Sequence, residues 1–199
     1  MFRPDQSIER LRQAHQRLLE RLSGLTDDEV RAPSRLPDWS VGHLLTHVAR
    51  NADSVVRRLE GAARDEIVDQ YPGGPAGRAT EIEVGALRSA TELVADVRTS
   101  ALAAENAATS LPGPAWVRLT RSVGGELDSA SSVLIGRIRE VEVHHVDLGL
   151  GYTLSDWPAE FVEETLAVEL PRLPHRAGPA ELLGWLTGRG PAPDLPSWR

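Results

Sequence analysis

Apolar residues recur at helical spacing along most of this chain. Ile8, Leu11, Leu18, Leu19 and Leu22 form one stripe, predicting a helix from Ser7, as N-cap, to about Leu25. Thr26-Asp27-Asp28-Glu29 has the form of a capping box and opens a short helix that Pro33 interrupts. Leu36-Pro37-Asp38-Trp39-Ser40 reads as a tight lead-in loop to a helix striped by Val41, Leu44, Leu45, Val48, Ala52, Val55, Val56 and Leu59, with Ser40 as its cap. Beyond the turn signal Tyr71-Pro72-Gly73-Gly74-Pro75, the positions of Ile82, Leu87, Leu93, Val94 and Val97 predict one long helix from about Ala76 to Glu105. Leu111-Pro112-Gly113-Pro114 closes that segment, and Trp116 to Thr120 reads as extended. A fourth long helix is predicted from Glu126 to about Leu148, stopped by Gly149-Leu150-Gly151. From Ser155 the character changes: a helical stretch Phe161 to Leu170, a proline-forced turn, a short helix Glu181 to Thr187, and a tail broken by Pro191, Pro193 and Pro196. The expected architecture is mainly α, a bundle of four helices over residues 1–154 with a small appendage over 155–199.

Composition narrows the functional classes. With 41% hydrophobic and 26% charged residues in 199, the chain is long enough to bury a core and lies in the globular range. No apolar run approaches the roughly 18 residues of a membrane span, and Met1-Phe2-Arg3-Pro4-Asp5 has no signal-peptide character, so a cytoplasmic protein without membrane attachment is expected. A net charge of −7 argues against nucleic acid, whose nonspecific binding needs a basic surface. Cysteine is absent, which excludes disulfides, thiolate metal ligands and a protein thiol nucleophile; any thiol chemistry must use sulfur from a small molecule. Lysine is also absent, removing Schiff-base catalysis.

Metal-type ligands are concentrated in two helical stretches. His43 and His47 lie in one, and Glu140, Glu142, His144, His145 and Asp147 in the other. Glu140 and His144 fall one turn apart on one face, where a histidine from the first stretch could join them as a three-ligand site with an open position. Such a pair is equally an ordinary solvated helix pair, and His43 and His47 carry the same ambiguity. His47, beside the Leu44 stripe, is the more inward of the two; His43, near the helix start, is expected to be partly exposed. Glu142 and His145 point to another side and are read as solvated or as supporting groups. Asp147 is placed to orient a ligand imidazole, or lies on the surface.

The stretch Leu36-Pro37-Asp38-Trp39-Ser40-Val41-Gly42-His43-Leu44-Leu45-Thr46-His47-Val48-Ala49-Arg50-Asn51-Ala52-Asp53 resembles the N-terminal domain of the mycothiol-dependent maleylpyruvate isomerases. The likeness continues through Arg78-Ala79-Thr80-Glu81-Ile82-Glu83-Val84-Gly85-Ala86 and from Arg137 to Tyr152. That resemblance implies a DinB-like four-helix bundle with a zinc (or other divalent metal) site held by His47, Glu140 and His144, and an active-site role for Arg78. Read from its surroundings alone, Arg78 is instead a solvated residue or a partner of Glu81 or Glu83. Leu182-Leu183-Gly184-Trp185-Leu186-Thr187-Gly188-Arg189-Gly190 and Leu195-Pro196-Ser197-Trp198 resemble the end of the family's small C-terminal α/β domain. Between Leu170 and Gly178 there is no room for that domain's strands, so the appendage is expected to be a truncated remnant. Its cluster Leu182, Leu183, Trp185 and Leu186 is expected to be covered by packing.

The activity implied is zinc-dependent, mycothiol-dependent cis-trans isomerisation of maleylpyruvate to fumarylpyruvate, or a close relative of it. The cofactors are then the metal and mycothiol, the substrate a small anionic or electrophilic molecule, and the protein a monomer or homodimer. Two other readings stand beside it: a transferase joining mycothiol or another low-molecular-weight thiol to an electrophile, and a noncatalytic metal-binding sensor or interaction protein.

Overall fold

In the computed structural model, which describes residues 2–195, the chain divides into two compact units, Met1–Leu154 and Ser155–Arg199. The first is a helical bundle. Helix α1 (Pro4–Arg21) begins three residues before the expected Ser7, because Pro4 supplies a preset φ and lacks the N–H that a first turn cannot pair. Helix α2 (Asp27–Arg31) opens on the Thr26/Glu29 capping box. Helix α3 (Val41–Ala63) is capped by Ser40, and His43 completes a reciprocal box in the place usually held by Glu: Ser40 Oγ accepts from the His43 N–H, and the Ser40 N–H donates to His43 Nδ1 at 3.2 Å.

The single long helix expected from Ala76 to Glu105 is two, α4 (Gly74–Gly85) and α5 (Ala90–Ser110). Ser89 and Glu92 form a third capping box that restarts the chain, and Leu87, counted in the expected stripe, is 82% exposed. The helix expected from Glu126 also starts later. After a 3₁₀ turn over Gly113–Val117, strands β1 (Leu119–Arg121) and β2 (Leu127–Ser129) pair antiparallel around a turn in which Gly125 has φ 93°. Ser129 then caps α6 (Ala130–Asp147).

The four longest helices among the described residues, α1, α3, α5 and α6, enclose a core in which Leu11, Leu18, Leu44, Leu45, Leu59, Leu93 and Leu134 are at most 1% exposed. A buried polar group joins all four. His15 of α1 sits between Glu105 of α5, 2.7 Å from its Nδ1, and the guanidinium of Arg137 of α6, while Arg137 Nη1 donates to the Val48 carbonyl and Asn51 of α3. A guanidinium only donates, so His15 Nε2 accepts and Nδ1 carries the proton given to Glu105.

Burial lowers the His15 pKa to about 4; its hydrogen bond to Glu105 opposes the shift and the Arg137 charge adds to it. Between the ordinary value near 6.5 and 4, the unfolded chain takes up a proton that the folded chain refuses, so stability falls as pH drops, by up to about 3 kcal/mol. Urea midpoints of metal-free protein at pH 7 and pH 4.5 should show this loss. His15→Gln should remove its own share of the loss, leaving that of Glu105 and the other carboxylates, and an equal drop in both proteins would refute it.

Helix α4 is seated on α3 through two missing side chains. A Cβ at Gly42 would lie 2.7 Å from the Ala86 carbonyl oxygen, and one at Gly85 would lie 2.4 Å from Cγ2 of Thr46. Thr46 cannot give way easily, being 1% exposed with its hydroxyl bonded to the Gly42 carbonyl at 2.8 Å. No helix among the described residues is long and apolar enough to cross a membrane.

The second unit contains α7 (Ala159–Glu169), a 3₁₀ turn over Leu170–Arg172, α8 (Leu173–Arg176) and α9 (Pro179–Leu186), with no strand among its described residues. Trp157 packs edge-on to Phe161 at 5.4 Å between ring centroids. Within this unit Leu182 is buried, whereas Leu183, Trp185 and Leu186 are exposed. The motif residues 196–198 lie outside the described residues.

Candidate metal centre

Helix α3 carries His47 and helix α6 carries Glu140 and His144 one turn apart, and the packing of these helices aims all three at one point. His47 Nε2 is 3.0 Å from Glu140 Oε2 and 3.2 Å from His144 Nε2, and His144 Nε2 is 3.2 Å from the same Glu140 oxygen. The three donor atoms thus form a nearly equilateral triangle. A tetrahedral metal with bonds of roughly 2.0–2.2 Å has ligand edges of about 3.3–3.5 Å, so the triangle needs almost no rearrangement to hold one. Nε2 atoms of two imidazoles facing each other at hydrogen-bond distance also demand that one present a lone pair, the form a cation requires.

The two histidines have different partners at their far nitrogens. His144 Nδ1 lies 2.9 Å from Asp147 Oδ2, which keeps the proton on Nδ1 and leaves Nε2 for the metal. His47 differs: its Nδ1 accepts from Arg78 Nη2 at 3.1 Å, which puts the imidazole proton on Nε2, where it is given to Glu140, so a metal would take that proton's place. Arg78 also lies over the Tyr71 ring at 5.8 Å. Arg78 makes no ion pair with Glu81 or Glu83; Glu83 faces His43 instead, at 3.5 Å. Burial pulls the His47 pKa down, with Glu140 opposing and His144 and Arg78 assisting. For His144, burial acts downward too, but the bonds to Asp147 and Glu140 overcome it and raise the value to about 9. Burial would raise Glu140, yet the two histidines outweigh it and hold its carboxyl well below the usual range, so the group is an anionic ligand at neutral pH.

The lead-in loop forms a wall of this centre. Asp38 takes a left-handed φ of 65°, Ser34 Oγ donates to the Trp39 carbonyl at 2.8 Å, and the Arg35 N–H donates to the Asp147 carbonyl at 2.8 Å. Trp39 is thereby placed 5.6 Å from the His47 ring and 6.4 Å from that of His43. Trp39 belongs to the motif but has no role assigned to it from the sequence; an aromatic residue four positions before His43 is the available signal. His43 is partly exposed and outside the triad, engaged in capping α3.

Of the two readings given to Glu142 and His145, solvated or supporting, the first does not hold, since they are 1% and 2% exposed. Helix α6 packs against both α1 and α3, so more than one of its faces is inside. Glu142 accepts from Arg17 of α1 and from the Tyr152 hydroxyl at 2.6 Å, and the His145 ring stacks on Tyr152 at 3.7 Å. A surface cleft of about 480 Å³ is lined by Asp53, Arg57, Glu60 and Tyr71 among others, and the Tyr71 ring also lies beneath Arg78.

A bundle of long helices presenting a His-Glu-His donor set from two of them, with both histidines buried and the carboxylate half-buried, defines a helical protein with a site suited to a divalent metal. Residues 11–149 match the family model described as the mycothiol maleylpyruvate isomerase N-terminal domain. The chain belongs to that family. Among solved structures it is similar to the mycothiol-dependent maleylpyruvate isomerase and to a histidine-to-alanine mutant of that enzyme. Each is 28% identical with a TM-score of 0.78, covering 84% of this chain and 69% of that one. No curated protein matches the chain.

Proposed function

We propose that this protein is a zinc-dependent, mycothiol-dependent isomerase of maleylpyruvate or a close relative of that substrate. The observation carrying this reading is the triangle of donor atoms from His47, Glu140 and His144 in a chain of this family. Zinc, when bound there, supplies a positive charge that lowers the pKa of a thiol at neutral pH. The protein's own groups do the rest. Asp147 orients His144, Trp39 walls off His47, and Arg78 is placed beside the centre to hold a substrate carboxylate. With no cysteine, the sulfur comes from outside. Addition of the external thiolate across the cis double bond leaves a single bond free to rotate, and loss of the same thiolate restores the double bond as trans, so no atom is gained or lost.

The protein should contain about one zinc per chain and convert maleylpyruvate only when mycothiol is supplied. Elemental analysis and an assay with and without the thiol test both parts, and full turnover without thiol would refute the mechanism. The absence of strands from the described residues of the second unit favours a second reading, thiol transfer to another electrophile. Consumption of thiol in proportion to product distinguishes it, since isomerisation returns the thiol.

A further inference from the structure

We infer that Arg137 is a positioning residue that sets the gap between the two helices carrying the metal ligands; this rests on the metal reading above. Arg137 is three residues before Glu140 and seven before His144, so it shares their face of α6. It is 1% exposed, and burial lowers its pKa only to about 10, leaving it charged at neutral pH. Its Nη1 donates to the carbonyl of Val48, the residue after His47, at 2.8 Å, and to Asn51 Oδ1, one turn beyond His47, at 3.0 Å. The guanidinium therefore joins α6 to α3 one turn below the triad. From the opposite side Nε and Nη2 donate to His15 Nε2 at 3.3 and 3.2 Å, and Glu105 secures that imidazole.

A planar fork bonded on two sides fixes both the separation of the helices and their axial register, which an apolar side chain of equal volume does not. Burying a charge is a poor route to stability compared with apolar packing, so its place directly beneath the ligands points to alignment. Sliding α6 against α3 changes the His47 distances to Glu140 and to His144 together, because both contacts cross this one helix pair.

Metal-free full-length protein is titrated with Co²⁺, reading Kd and visible absorption, for the parent, Arg137→Met, Arg137→Lys and Arg58→Met, alongside their urea midpoints. Arg58 is the control: it is also a buried arginine of α3, but it bonds Thr120 of the hairpin at 3.0 Å. Both Arg137 variants should bind Co²⁺ at least about tenfold more weakly with an altered spectrum, the scale seen when a group supporting metal ligands is lost. Arg58→Met should lose stability yet keep the parental Kd within about twofold. A folded Arg137 variant with parental Kd and spectrum overturns the inference, as does Arg58→Met weakening Co²⁺ equally. If neither Arg137 variant folds, Asn51→Ala, which removes one partner of the fork, decides on the same criteria. A parent that takes up no Co²⁺ defeats the metal reading itself, whereas a binding parent matched by its variants defeats only the role of Arg137.

Discussion

Replacing His47 or His144 with Ala, or Glu140 with Gln, is expected to reduce zinc affinity by on the order of a hundredfold or more and to abolish measurable turnover. The scale follows from the roughly 10–16 kcal/mol with which four-ligand structural sites hold zinc, which makes each ligand about 2.5–4 kcal/mol. The substitutions differ in their effect on the metal-free fold. Glu140 is a half-buried anion between two imidazoles, so Glu140→Gln removes charge from a group whose protonated form is strongly disfavoured. His144→Ala leaves Asp147 without its 2.9 Å partner. Competition with a chromophoric chelator, followed by a thiol-dependent assay, reads both quantities. Parental zinc content in His47→Ala and His144→Ala together would sink the assignment of the ligands.

Arg78→Met is expected to preserve metal content while lowering turnover of a dicarboxylate by about tenfold or more, the kinetic equivalent of losing a charge-assisted contact of ~1.5–3 kcal/mol. Arg78 touches His47 at its outer nitrogen, not at the nitrogen that faces Glu140 and His144, so its removal leaves the donor triangle intact. Arg78→Lys keeps the charge but not the fork and should recover only part of the loss. A substrate analogue lacking the carboxylate that Arg78 holds should show little difference between parent and variant. An Arg78→Met enzyme as active as the parent would turn attention to thiol transfer or to a noncatalytic role.

Much of this protein was legible in its sequence, and the failures share a physical cause. The stripes and capping signals of α2 and α3 are local, and they mark those helices well. Ser89-Ala90-Thr91-Glu92 carries the same signal as Thr26 to Glu29, but the apolar Leu87 bridged the two helices into one apparent stripe. The three-residue strands β1 and β2 are too short to show a period. Glu140 and His144 could be paired from spacing alone, whereas the choice of His47 over His43 needed the Leu44 stripe and the family resemblance. Glu142 and Arg137 escaped because their partners, Arg17 and Tyr152 for one, His15, Val48 and Asn51 for the other, depend on which helices meet. A rule that puts charge outside fails on a helix enclosed by two neighbours.

The glycine seam between α3 and α4 makes the placement of Arg78 asymmetric to mutation. The helix that carries Arg78 approaches the helix that carries His47 so closely that a Cβ at Gly42 would meet the Ala86 carbonyl and one at Gly85 the Thr46 methyl. A side chain added at either glycine can therefore move the arginine in one direction only, outward. Each added methyl is a wedge at the root of a lever whose tip is the guanidinium, and the reach between cation and metal centre has a floor but no ceiling. Lineages or engineered variants that need to accommodate a longer anion would find that adjustment open to them through Gly85→Ala or Gly42→Ala, whereas a shorter anion would have to be met by changing the side chain at position 78 itself.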